Sequence, residues 1–285
     1  MNIQKSFKRY ILGLFYCLTI LQVQAQEGLE FGGYLGASHY FGDLNTDFSV
    51  NNPGLTIGML GRYNFNERTA FKITGTVGQV SAYDFDSNNT FEERRNLNFQ
   101  SQILDASAQI EFNFLPYFHG SKTQYFTPYL FAGLSVTHFN PQTEVCNGSP
   151  TTPAGECNGS TSLIDLRPLG TEGQFKGEEY YTVAGGLAFG AGFKVSLNYE
   201  WSINVELSGR RLFTDYLDDV SGTYPDFDDL QNLRGNTAVA LSDRSNPAIG
   251  ETGRQRGSSG TKDAFGLLTV GIVYYFGDLK CPTPK

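Results

Sequence analysis

The sequence predicts an all-β protein: an eight-stranded antiparallel up-and-down transmembrane β-barrel. Three observations carry that prediction. The chain opens with an export signal, its body repeats segments that alternate apolar and polar residues, and the links between those segments are short and long by turns.

The export signal occupies residues 1–25. Lys5, Lys8 and Arg9 form a basic start, Tyr10 to Leu21 is an apolar run, and Val23-Gln24-Ala25 presents small residues where a signal peptidase cuts, before Gln26. A membrane helix needs ~18–20 apolar residues, more than this run supplies. Cys17 leaves with the peptide, because the bulky Tyr16 before it does not suit a lipidation site.

No later apolar run is long enough for a helix to cross a membrane. Mean hydropathy is -0.28. The net charge of -8 argues against nucleic acid as a partner, which calls for clustered Lys and Arg. With 33 glycines and 14% aromatic residues, the composition points to β-sheet.

Strands are expected to start near Leu29, Leu55, Thr69, Pro128, Tyr181 and Ala264, with two more marked by clear alternation. In Ile103–Leu115, Leu104, Ala106, Ala108, Ile110, Phe112 and Phe114 share one face, opposite Asp105, Ser107, Gln109, Glu111 and Asn113. In Trp201–Phe213, Trp201, Ile203, Val205, Leu207 and Phe213 oppose Ser202, Asn204, Glu206, Ser208 and Arg210. The last strand puts Leu268, Val270, Ile272, Tyr274 and Phe276 on one face.

Asn66-Glu67-Arg68 and Asn198-Tyr199-Glu200 read as tight turns, and Pro116–Tyr125 as a moderate one. Between them lie Asp43–Gly54, Asp84–Asn98, Asn140–Tyr180 and Thr214–Asp263, all longer and polar. A secreted β-sandwich is the rival fold, but it has no reason to gather every long loop at one end. An outer-membrane barrel does, with short periplasmic turns, long outer loops, apolar residues outward and polar ones inward. The barrel is expected over residues 26–277, with Tyr63, Phe65, Phe112, Phe114, Trp201 and Phe276 as its inner aromatic girdle and 278–285 as a periplasmic tail.

Inward positions include Glu30, Arg62, Lys72, Asp105, Glu111, Lys194, Glu206 and Arg210, four acids and four bases. An eight-stranded barrel is just wide enough for side chains to fill it. A balanced set therefore reads as an ion-paired plug rather than a conducting pore.

The stretch Arg210–Leu230 packs six aspartates between Asp215 and Asp229. Asp215, Asp218 and Asp219 lack the alternate spacing of an EF-hand loop, and no perturbed carboxylate pair in a cleft is evident. A solvated acidic face, a weak divalent-cation site beside lipopolysaccharide phosphates, and a docking rim all stay open.

Cys146 and Cys157 share one Gly-, Pro- and Thr-rich loop and are expected to form a disulfide. Cys281, on the far side of a ~25 Å apolar band, cannot reach them. In the tail, Pro282 and Pro284 keep the chain extended, while Lys280 and Cys281 are candidates for docking a periplasmic partner. An ordinary frayed terminus is the alternative.

"FTDYLDDVSGTY" after the seventh strand and "HYFGDLN" after the first resemble the PorG-like outer-membrane barrels of the Bacteroidetes type IX secretion system. The likeness in pattern runs from "LEFGGYLGASHYFGDLN" to "GIVYYFGDLKCP". It implies an accessory, non-catalytic role linking a periplasmic ring of secretion proteins to the outer membrane. It implies no cofactor. The implied surroundings are outer-membrane lipids, lipopolysaccharide and the ring proteins. A structural or adhesin-like barrel without a secretion role is the alternative. An enzyme is disfavoured: Ser38 and His39 point to opposite faces of a strand, His138 has no same-face nucleophile, and His119 falls in a turn.

Overall fold

The computed structural model describes residues 28–47, 49–147 and 160–277. Nine strands form: β1 Gly28–Phe41, β2 Gly54–Asn64, β3 Thr69–Tyr83, β4 Asn98–Asn113, β5 Phe126–Cys146, β6 Thr161–Asp165, β7 Val183–Ser196, β8 Trp201–Leu212 and β9 Ala264–Tyr275. Within the ring every strand pairs antiparallel with its two neighbours, β5 taking β6 as a third partner, and the β1–β9 ladder shuts the sheet into an eight-stranded barrel. Closure leaves no free edge among the eight. β6 stands outside the ring. It pairs only with Gln142–Cys146, so β5 rises past the barrel as one arm of a hairpin where an irregular loop is expected from Asn140 onward.

Side chains follow the period of two around the ring. β3 and β4 alternate buried and exposed residues almost without interruption. Apolar residues at the exposed positions face outward: Leu104, Ile110, Val205, Leu207, Leu268, Val270 and Ile272. Aromatic side chains collect at the end of the short turns. Tyr63 stacks edge-on with Phe65, Phe112 with Phe114, Trp201 with Tyr274, and Phe276 with both Tyr274 and Phe31. Among the described residues no helix is long and apolar enough to cross a membrane.

The two tight turns share one device. Asn66 Oδ1 accepts from the backbone N–H of Arg68 and Thr69, both at 2.8 Å. Asn198 Oδ1 does the same for Glu200 and Trp201, at 2.9 and 2.8 Å. A short amide side chain thus replaces the ladder bonds lost where the chain reverses. Glycine makes room inside the wall: a Cβ at Gly58 would lie 2.4 Å from the ring of Tyr34, and one at Gly192 2.6 Å from that of Tyr129.

The opposite end is folded rather than frayed. Thr90–Arg95, Phe227–Arg234 and Asn236–Ser242 are helical, although the sequence reads there as loop. Asn89 and Asp226 cap the first two, accepting from backbone N–H groups of the first turn. Asp228 and Asp229 fall in the first turn of Phe227–Arg234, where the helix dipole favours negative charge.

Candidate functional site

The lumen is filled in layers. Near the short-turn end, Arg62 reaches Glu30 at 2.5 Å and Glu111 at 2.8 Å. Glu111 also holds Lys72 at 3.0 Å and Lys194 at 2.5 Å, so one carboxylate serves cations from β2, β3 and β7. Lys72 reaches on to Glu206 at 2.5 Å, and Tyr129 donates to the same Glu206 oxygen at 2.9 Å. Lys72 lies 4.1 Å from the ring centre of Phe131, and Lys194 4.5 Å from that of Tyr129. A second pair sits higher, where Arg210 meets Asp105 at 3.1 Å and Thr137 donates to Asp105 at 2.9 Å. All eight inward charges lie inside the barrel; only the Glu206 side chain keeps some exposure, at 14%.

His119 joins this layer. It belongs to the Pro116–Tyr125 turn, yet its ring is buried, stacks on Tyr275 at 4.4 Å and lies 3.2 Å from Glu30. The signal for it was faint: a turn that doubles back into the barrel mouth has no periodicity to read. Of the other histidines, His138 is exposed on the outer face, and His39 alternates outward from Ser38, whose hydroxyl donates to the Gln79 carbonyl at 2.5 Å.

Above the charges the lumen turns apolar. Tyr40, Val80, Phe99, Phe139, Leu212 and Phe265 close it from the strands, and Leu217 and Val220 descend on them from the β8–β9 connection. The aspartates that follow β8 are carried into this cap. A solvated acidic face is therefore the wrong description for Asp215, Asp218 and Asp219, which are 3%, 1% and 1% exposed. Asp215 accepts from Ser221 at 2.7 Å. Asp218 faces Tyr40 at 2.6 Å and accepts from the Val220 N–H at 2.9 Å. Asp219 accepts from Thr171 at 2.5 Å and from Tyr180 at 2.6 Å, with φ +67°, a left-handed conformation that Asp tolerates better than most residues. Burial raises all three acids above the usual carboxylate range, Asp219 to about 6. Among the described residues no cluster of His, Cys, Asp and Glu has the arrangement of a metal site.

Buried arginines tie the cap together. Arg95 binds Asp84 through two nitrogens at 2.8 and 2.7 Å, then donates to the carbonyls of Arg256 and Asp43. Arg256 donates to Glu172 and to the Asp219 carbonyl. The connections after β1, β3, β6 and β8 are thereby joined into one body. Cys146 closes β5 with its side chain engaged. Its expected partner Cys157, the signal peptide, and the tail with Lys280 and Cys281 lie outside the described residues.

No curated protein matches the chain. Among solved structures, the outer membrane protein OprG of Pseudomonas aeruginosa aligns at 12% identity and TM-score 0.42, over 89% of this chain and 97% of its own. Neisserial surface protein A aligns at 10% identity and TM-score 0.41, over 87% and 97%. Ail, the attachment invasion locus protein of Yersinia pestis, aligns at 10% identity and TM-score 0.37, over 89% and 100%. The profile of one sequence family, described as a domain of unknown function (DUF6089), matches residues 8–156. That span is more than half of the 285 residues, and the chain belongs to the DUF6089 family.

Proposed function

We propose that this protein is a sealed, non-catalytic anchor in the bacterial outer membrane. The observation that carries the reading is the occupied lumen. An ion-paired layer fills the half near the short turns, and an apolar cap fills the half below the long connections. An ion entering from either side meets charges already paired or a wall of aromatic and aliphatic side chains. Opening a path would break buried pairs, each at several kcal/mol. The outward apolar belt with its aromatic rim supports the membrane location, since only a lipid environment makes so large an exposed apolar surface favourable. Planar-bilayer recording of the purified barrel tests the seal. No steady conductance is expected, and a stable open channel would refute it.

The finer reading is an accessory component of the type IX secretion system, with the short turns and the 278–285 tail facing a periplasmic ring. Its support is the sequence resemblance of Phe213–Tyr224 and His39–Asn45 to the PorG-like barrels. Deleting the gene and assaying secretion of cargo bearing the system's C-terminal signal tests it. Loss of secretion is expected. Unchanged secretion leaves a structural or adhesin-like barrel.

A further inference from the structure

The cap holds two carboxylates against one phenol. Tyr40 Oη lies 2.6 Å from Asp218 Oδ2 and 2.7 Å from Asp263 Oδ1, and all three side chains are buried. The remaining carboxylate oxygens have their own donors: the Val220 N–H serves Asp218 Oδ1 at 2.9 Å and the Leu217 N–H serves Asp263 Oδ2 at 2.8 Å. A phenol carries a single hydrogen. It satisfies one of the two facing oxygens and leaves the other pressed against its own lone pairs. One added proton resolves this, because a protonated Asp donates to the phenol oxygen while the phenol donates to the second Asp.

We propose that Tyr40, Asp218 and Asp263 share one extra proton at neutral pH, and that this proton latches the β8–β9 connection onto β1.

No cation pairs directly with either acid, although Arg95 lies close enough for the Asp218 charge to act on it. Arg95, on the helix packed beside the pair, spends its donors on Asp84 and on the carbonyls of Asp43 and Arg256. Arg256 is turned to Glu172 and to backbone carbonyls. Arg244 donates to Asn98 and Thr143, and the half-buried Lys262, whose charge acts on Asp215, donates to the Ser259 carbonyl. The other facing groups are acids: Asp43, which accepts from the Ser258 N–H, and Asp215. Among the described residues no Arg, Lys or His lies within ion-pair distance of Asp218 or Asp263. Burial first, then the neighbouring carboxylates, raise both acids well above their usual range; burial raises Asp43 to about 6.

The sign follows from linkage. The closed cap binds one proton more than an opened one, in which aspartates ionise near pH ~4. Above about pH 6, where Asp43 and Asp219 have ionised, opening therefore grows easier by about tenfold per pH unit until the shared proton leaves the closed form as well.

The test uses the full barrel in detergent micelles, with aspartate carboxyl carbons labelled with carbon-13 for NMR. One carboxyl is expected to keep its protonated shift after Asp43 and Asp219 have ionised, and that signal should vanish in both Asp218→Asn and Asp263→Asn. Limited proteolysis between residues 214 and 263 supplies the second readout. Above about pH 6, nicking should rise about tenfold per pH unit in the wild type, after correction for the protease's own profile, and flatten in Asp218→Asn. If every aspartate of the wild type ionises with the exposed ones, or its nicking is flat with pH, the shared proton is ruled out. The wild-type titration decides the matter even if a variant fails to fold.

Discussion

Glu111 is the residue on which the interior turns, because three cations from three strands converge on it and none of its surface meets water. Glu111→Ala leaves Arg62, Lys72 and Lys194 to divide what remains and should cost about 3–5 kcal/mol, as breaking buried pairs does. Glu206→Ala should cost less, about 1–3 kcal/mol, since Lys72 keeps Glu111 and the chief loss is the partner of the Tyr129 hydroxyl. Urea unfolding in detergent micelles, read by the gel-mobility difference between folded and unfolded barrel, ranks the two. In the cap, Asp219 is raised to about 6 mainly by burial, against the pull of Arg256. A raised acid favours the folded form at low pH, so its contribution should fall as pH climbs from ~4 towards 6 and then level off. Asp219→Asn keeps the left-handed backbone accessible and should remove that portion of the pH dependence, measurable as melting temperature against pH.

At the scale of the strand, alternation does the work, and it was legible. Lys72, Glu111 and Glu206 face inward because no described bulge breaks the count along β3, β4 or β8, and a single slip would have turned them into lipid. Leu207, near the middle of β8, points outward and is 63% exposed. Leu207→Arg should destabilise the inserted barrel by about 2–4 kcal/mol in lipid vesicles, and Ser208→Thr, on the inner face beside it, far less. The connections were not legible, and the reason is range. The Asp218–Tyr40 contact spans 178 positions and the Arg95–Arg256 contact 161, so no window of local sequence contains both partners. Three of the six aspartates after β8 are interior anchors and the other three open a helix, roles that look alike in composition. His119 was hidden for the same reason, its partners Glu30 and Tyr275 lying at opposite ends of the chain.

For the whole molecule, the interior charges carry a consequence for how the barrel comes into being. No cation in the lower layer finds its acid on its own hairpin alone. Glu111 draws on β2, β3 and β7, and Lys72 meets Glu206 across 134 residues. At the seam, His119 touches Glu30 on β1 and stacks on Tyr275 on β9, the last strand made. Until β9 docks on β1, a half-formed sheet holds these side chains open to water, where their charges are well solvated and cost nothing. Burying them before closure would strand several charges in lipid. Assembly is thereby biased towards a late, concerted event in which the ring shuts, water leaves and the ion pairs form together. Contacts between such distant parts of the chain are slow to assemble. On the proposed membrane location, the network would act as a check on completeness, since a barrel short of one strand would carry unpaired charges into the bilayer.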